Sequence, residues 1–163
     1  MKTLCFTGHR RLSDVQHNWL AETLPEVIER AIHGGYTRFI SGGALGFDQL
    51  AAESVIWLKD SYPVTLWVAM PFYGYADKWP ERQRAHSRKI NEQADQSFMV
   101  SKDYSRNVYQ IRNEWMVNHS DVVVAAWNGT PSGTANTVNY AKSQGKKILR
   151  LDLVNFNEEW QKD

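Results

Sequence analysis

Three glycine-bearing turns carry groups suited to holding an anion. The first reads Thr7-Gly8-His9-Arg10-Arg11, where the glycine permits a tight turn while an imidazole and two guanidinium groups offer donors to a phosphate. A surface turn with solvated charges would look the same. The second, Ser41-Gly42-Gly43-Ala44-Leu45-Gly46-Phe47-Asp48, runs into Gln49-Leu50-Ala51-Ala52-Glu53, which reads as strand, glycine loop and helix in succession. Gly42, Gly43 and Gly46 let backbone N–H groups approach a phosphate at the positive end of that helix, and Ala51 and Ala52 let it pack closely on a sheet. The spacing is neither G-x-G-x-x-G nor G-x-x-x-x-G-K-[ST], and no lysine follows the loop, which disfavours a P-loop nucleotide hydrolase. Asp48 either binds a ligand hydroxyl or caps the helix.

The third turn, Trp127-Asn128-Gly129-Thr130-Pro131-Ser132-Gly133-Thr134-Ala135-Asn136-Thr137, opens onto another helix and reads as a second phosphate cradle. Between the second and third lies an aromatic loop whose Phe72, Tyr73 and Trp79 are flat enough to stack a base or form a lid. Arg82 follows closest to it, whereas Arg84 and Arg88 read as a solvated helix face. Arg112 either reaches a ligand or makes a helix-surface salt bridge. The ligand that best suits two such cradles and flat rings carries a phosphate, a sugar and a base. In that arrangement Gly42–Gly46 and Ser132–Thr134 hold phosphates, Arg10 adds charge, and Trp127, Tyr73 or Trp79 covers the base. His9, His17, His33, His86 and His119 show no metal-ligand spacing, so no metal and no resident cofactor is expected. Ser41 and Ser132 lie outside any G-x-S-x-G elbow and read as loop residues.

These loops need a scaffold, and the hydrophobic pattern supplies one. Short apolar runs at Lys2–Phe6, Arg38–Ser41, Val64–Ala69, Gln96–Val100, Asp121–Ala126 and Lys147–Asp152 read as six strands. Amphipathic stretches at Asp14–His33, Phe47–Lys59, Pro80–Gln93, Tyr109–Ser120 and Thr134–Gln144 read as helices, with Ser13 as a cap, a kink at Pro25, and Gly34-Gly35 and Gly145 as stops. Alternation of this kind predicts an α/β fold: a Rossmann-like three-layer sandwich around a mostly parallel sheet of about six strands. Residues 1–152 form a single domain in this reading and 153–163 a C-terminal tail. The 163 residues carry a formal net charge of +1, which argues against a nonspecific nucleic-acid binder. One cysteine, Cys5, excludes an internal disulfide and fits a cytoplasmic protein. No apolar run is long enough for a membrane span, so no membrane partner is expected.

Taken together, Thr7–Arg10, Ser41–Glu53, Arg112–Val117 and Ser120–Asn136 resemble, in this order, the YpsA-like branch of the SLOG superfamily, which also includes the Smf/DprA and LOG proteins. The resemblance spans about residues 1–152. It implies a Rossmann-like sheet and a site for a nucleotide or nucleotide-derived ligand, ADP-ribose-like or second-messenger-like, on Gly8, Arg10, Gly42, Gly43, Gly46, Asp48, Gly133 and Thr134. It also implies a homo-oligomer. LOG enzymes and nucleoside deoxyribosyltransferases, which act on N-glycosidic bonds, place a glutamate where this chain has Thr137. A hydroxyl does not stabilise an oxocarbenium-like centre as a carboxylate does, so the expectation is a binding module acting as sensor or sequestering protein. The alternatives are an N-glycosidic-bond hydrolase or transferase in which Asp48 or Glu114 supplies the missing acid, and a single-stranded nucleic-acid binder of DprA type.

Overall fold

Each hydrophobic run takes up the secondary structure that its period favours. The order is β1 (Lys2–Gly8), α1 (Asp14–His33), β2 (Tyr36–Ser41), α2 (Phe47–Leu58), β3 (Thr65–Met70), α3 (Glu81–Gln93), β4 (Gln96–Met99), α4 (Val108–Asn118), β5 (Val122–Trp127), α5 (Gly133–Ser143), β6 (Lys147–Asp152) and β7 (Asn157–Trp160). The structure is a computed structural model describing residues 1–161.

The strands form one seven-stranded sheet in the order β4-β3-β2-β1-β5-β6-β7. Every neighbouring pair is parallel except β6 and β7, which run antiparallel. The expected α/β sandwich is therefore present, with one strand more than the six read from sequence. The additional strand, β7, lies inside the segment expected to be a tail; residues 162 and 163 of that segment lie outside the described residues. Its sequence, Asn-Glu-Glu-Trp, has no apolar alternation because it is exposed along its whole length. Backbone pairing to β6 holds it, helped by an ion pair from Arg30 to Glu158. Asp152 shapes the turn leading to it by accepting from the N–H groups of Val154 at 2.8 Å and Asn155 at 3.1 Å.

Alternating residues of the central strands feed two separate cores. Leu4, Phe6, Val122, Val124 and Ala126 face α1 and α2, packing with Leu20, Leu24, Phe47 and Val55. Cys5, Val123 and Ala125 face the other way, against Met116 and Val117 of α4 and Val138 and Ala141 of α5. This two-sided burial makes the strands read as continuous apolar runs. Burial also pushes the Cys5 thiol up to about 12, so it sits as a protonated apolar side chain. α1 begins with a capping box in which the Ser13 hydroxyl accepts from Gln16 N–H and the Gln16 side chain accepts from Ser13 N–H. It runs unbroken through Pro25, because Ala21, whose carbonyl the proline leaves without its helical donor, is exposed to water.

Phe6 joins the sheet to α2. Its ring lies 6.3 Å from that of Phe39 and meets Phe47 edge-on at 6.1 Å, with all three side chains fully buried. Phe6→Ala is expected to destabilise the fold by about 3–5 kcal/mol. Trp160→Ala on β7 removes a side chain that is 55% exposed and is expected to change stability by no more than about 0.5 kcal/mol. Urea unfolding of both variants checks the contrast.

Candidate functional site

The strand order reverses direction at β1. From there the chain steps outward through β2, β3 and β4, then returns to place β5 on the opposite flank. The loops leaving β1 and β5 therefore diverge to opposite faces of the sheet and leave a crevice at the carboxyl ends of these strands. A cleft of about 270 Å³ lies there, with Thr7, Gly8, Asp48, Arg112, Ser132 and Gly133 among its walls.

The glycine loop after β2 is held from inside. Ser41 is fully buried; its hydroxyl donates to the Asp48 carbonyl at 2.8 Å and accepts from Gly43 N–H at 3.2 Å. Gly46 has φ +81°, and a Cβ there would run into the backbone carbonyl of Arg10. The Phe47 N–H donates to the His9 carbonyl at 3.2 Å, tying the loop after β1 to the start of α2. Two ionisable side chains crowd the space where a Gly42 side chain would be. A Cβ there would sit 2.7 Å from Asp48 Oδ2 and 2.9 Å from Arg112 Nη1.

Arg112 is only 3% exposed, which resolves the sequence alternatives against a surface salt bridge. Its Nη1 donates to the carbonyls of Gly42 at 2.6 Å and Ala69 at 3.2 Å, and its Nε donates to Asn113 Oδ1 at 2.8 Å. Burial lowers its pKa from the ordinary arginine value, with the Asp48 charge working against that. Asp48 shows the mirror effect: burial pushes its carboxyl up to about 6, opposed by Arg112, by the Ala44 N–H and by Arg10. Oδ2 accepts from that Ala44 N–H at 3.4 Å, whereas Oδ1 is buried without a hydrogen-bond partner. A buried carboxylate oxygen left unpaired is costly, so a donor arriving in the cleft would meet a ready acceptor.

Opposite Asp48, α5 starts with Ser132, whose hydroxyl accepts from Ala135 N–H at 3.2 Å. The N–H groups of Gly133 and Thr134 find no acceptor among the described residues, and the space beside the Gly133 Cα is open. Two free amides at a helix start form an anion cradle. The Arg10 guanidinium lies over the Tyr109 ring, 4.5 Å from its centroid, at the mouth. His9 Nε2 accepts from the Asn128 N–H at 3.2 Å and so joins the β1 and β5 loops.

Nine sequence candidates thus line one cleft: Thr7, Gly8, His9, Arg10, Asp48, Arg112, Ser132, Gly133 and Thr134. Ser41, Gly42, Gly43 and Gly46 build the loop behind it, and Asn128 fixes the β5 turn by accepting from Thr130 N–H at 3.0 Å. Trp79 lines a small side compartment with Tyr75, Tyr109 and Arg112, and Phe72 packs edge-on against Tyr104 and Tyr109. Other candidates lie elsewhere. Tyr73 is 67% exposed and Asn136 points to solvent from α5. Trp127 donates from its indole to the Thr130 carbonyl at 2.8 Å and faces Arg150, outside the cleft walls. Glu114 accepts from Gln110 at 3.0 Å and does not reach the cleft, and Arg82 faces a different one. Thr137 is fully buried, with its hydroxyl donating to the Gly133 carbonyl at 2.9 Å. Tyr109, Asn113 and Ala44 line the cleft and were not singled out from sequence. The signal for Tyr109 is its position three residues before Arg112, which puts both on one helix face.

The raised pKa of Asp48 has a sign that can be measured. Because the folded value of about 6 lies above the ordinary 3.8, the unfolded chain ionises first, and stability that is full below pH 3.8 is lost as pH rises through about 6. Asp95 and Asp152, whose pKa values are lowered, act in the opposite sense, so the comparison is with a variant. Relative to Asp48→Asn, the wild type is expected to lose about 2–3 kcal/mol between pH 4 and 7. Denaturant unfolding across that range checks the difference curve.

Comparisons with known proteins accord with this architecture. The chain is 34% identical over 148 residues to the SPbeta prophage-derived protein YoqJ of Bacillus subtilis, covering 81% of this chain and 86% of that protein. It is 28% identical to a UPF0398 protein of Halalkalibacterium halodurans over 98% of this chain and 92% of that one. Among solved structures, DNA processing protein A from Helicobacter pylori, described by its single-stranded DNA binding mode, superposes with a TM-score of 0.66 at 19% identity, over 94% of this chain and 70% of that chain. The molybdenum cofactor carrier protein from Chlamydomonas reinhardtii superposes with a TM-score of 0.56 at 19% identity, covering 92% and 76%. The family profile of the YspA SLOG family matches residues 4–158, from the first strand to the last, and the chain belongs to that family.

Proposed function

We propose that this chain binds a phosphate-containing, nucleotide-derived ligand in the cleft between the β1 and β5 loops. The observation that carries the reading is the unpartnered, buried Asp48 Oδ1 sharing one cleft with the two free amides of α5. A phosphate fits the amides of Gly133 and Thr134, with Arg10 adding charge. A ribose hydroxyl suits Asp48, whose Oδ1 is free to accept it. Two structural neighbours described by what they bind or carry, single-stranded DNA in one case and a molybdenum cofactor in the other, accord with a binding role for the chain.

The reading is binding without bond cleavage. Thr137 turns its hydroxyl back into its own helix, and Asp48 is the one carboxylate among the described residues lining the cleft. A single buried acid, held beside a buried guanidinium, favours grip over turnover, because glycoside hydrolysis calls on a second acid or a nucleophile.

A thermal-shift screen with AMP, ADP-ribose, NAD and cyclic nucleotides, followed by chromatography of any hit, tests this. The expected result is stabilisation by about 2–3 kcal/mol at a hundredfold excess over Kd, with the ligand recovered intact. Arg10→Ala and Asp48→Asn are each expected to weaken binding at least about tenfold. A hydroxyl donated to Oδ1 favours the carboxylate, so affinity should rise as pH increases from 5 to 7 and lose that dependence in Asp48→Asn. Unchanged affinity in both variants overturns the site, and recovery of free base with sugar phosphate makes the chain an enzyme.

A further inference from the structure

A second cleft opens on the far side of the glycine loop, between the start of α2 and the outer face of α3. It measures about 810 Å³, and its walls include Arg10, Arg11, Gln49, Arg82 and Lys89. The basic residues of α3 divide into two groups. Arg84 and Arg88 both donate to Glu81, at 2.6 and 3.0 Å, and are neutralised along their own helix. Arg82, Lys89, Arg10 and Arg11 form no ion pair among the described residues, and no carboxylate lines the cleft. Of the two acids on α2, Asp48 belongs to the first cleft and Glu53 is bound to His86 at 2.7 Å. Arg10 already faces the Asp48 charge in the first cleft, which leaves Arg11, Arg82 and Lys89 as three cations around this opening for an entering anion to neutralise.

The floor of this cleft is unsatisfied too. α2 starts at Gly46 without a side-chain cap, unlike α1 and α5, which Ser13 and Ser132 cap. The N–H groups of Asp48 and Gln49 have no acceptor among the described residues. Gln49 lines the cleft, is 7% exposed, and its side-chain Nε2 is buried without a hydrogen-bond partner. Buried amide donors of this kind are ordinarily paired, so an uncapped helix start and an orphaned amide beside three unpaired cations indicate a missing acceptor.

We infer that this second cleft is an anion site that takes a phosphate group, held by Gln49 and the α2 amides and neutralised by Arg82, Lys89 and Arg11. Arg10 lines both clefts, so a ligand carrying two separated phosphates can engage them together across this one side chain. The preferred ligand is then a dinucleotide rather than a mononucleotide. The second anion site stands or falls without the first cleft, whereas the dinucleotide preference rests on the function proposed for that cleft.

The test is an NMR titration of the ¹⁵N-labelled protein with inorganic pyrophosphate, following the Gln49 side-chain amide and the backbone amides of Gln49, Gly133 and Thr134. Saturable shifts at both Gln49 amides, lost in the Arg82→Ala/Lys89→Ala double variant, are expected. Shifts at Gly133 and Thr134 alone overturn the second site and leave the first intact; shifts at Gln49 alone do the reverse. Silence at all of these amides up to millimolar pyrophosphate overturns both. A 5′-phosphorylated adenine dinucleotide should then bind at least about tenfold more tightly than AMP, and the double variant should erase that gain. Equal affinities refute the bridging ligand. Affinity that keeps climbing with oligonucleotide length and falls steeply with salt assigns both clefts to a single-stranded nucleic acid instead.

Discussion

The site depends on the absence of a side chain at Gly42, where the Asp48 carboxyl and the Arg112 guanidinium both occupy the space a Cβ would need. That absence lets an acid on α2 and a base on α4 meet at one residue, although the two helices pack on opposite faces of the sheet. Each charge is expensive to bury alone, and each moves the other's pKa toward its charged form. Arg112 uses its Nη1 on the carbonyls that end β2 and β3, so the strand ends and the loop are fixed by one side chain. The unpaired Oδ1 is what that arrangement leaves over. A buried carboxylate oxygen without a donor is uncommon in a folded protein, and the proposed ligand hydroxyl would supply one.

Topology then determines what can arrive. The reversal of strand order at β1 sets the α2 and α5 starts around the crevice, and two helix starts there give it a positive field without a basic protein. That reconciles a net charge of +1 with the two clefts proposed to take anions. Local charge does the work: Glu81 absorbs Arg84 and Arg88, leaving Arg82 and Lys89 turned toward the opening. Global composition argues against nonspecific polyanion binding, and local placement argues for a few well-held phosphates.

Much of this was legible in the residues. Five helices and six of seven strands follow from hydrophobic period, and the capping of α1 by Ser13 and the glycine loop follow from local chemistry. What escaped did so for physical reasons. β7 has neither buried face nor alternation, being held by backbone pairing, and only tertiary context reveals that. Arg112 was balanced between ligand and salt bridge because its burial depends on Gly42, seventy residues earlier. The aromatic candidates were chosen for flatness, yet flat residues also close loops: Trp127 spends its indole N–H on its own turn, while Tyr109, hidden in an ordinary helix, carries Arg10. Spacing identifies backbone cradles better than side-chain covers, since a cradle is local and a cover depends on how distant loops fold over it.

Position 137 joins the sequence comparison to the geometry. The side chain there is fully buried, and threonine answers burial by donating to the carbonyl four residues back, a bond that keeps the first turn of α5 closed. Among the described residues lining the cleft, Asp48 is the one carboxylate, and its companion is a buried arginine rather than a second carboxylate. An acid beside a base is suited to holding a hydroxyl, whereas hydrolysis of a glycosidic bond calls on a second acid or a nucleophile, and that contrast is what favours the proposed binding role.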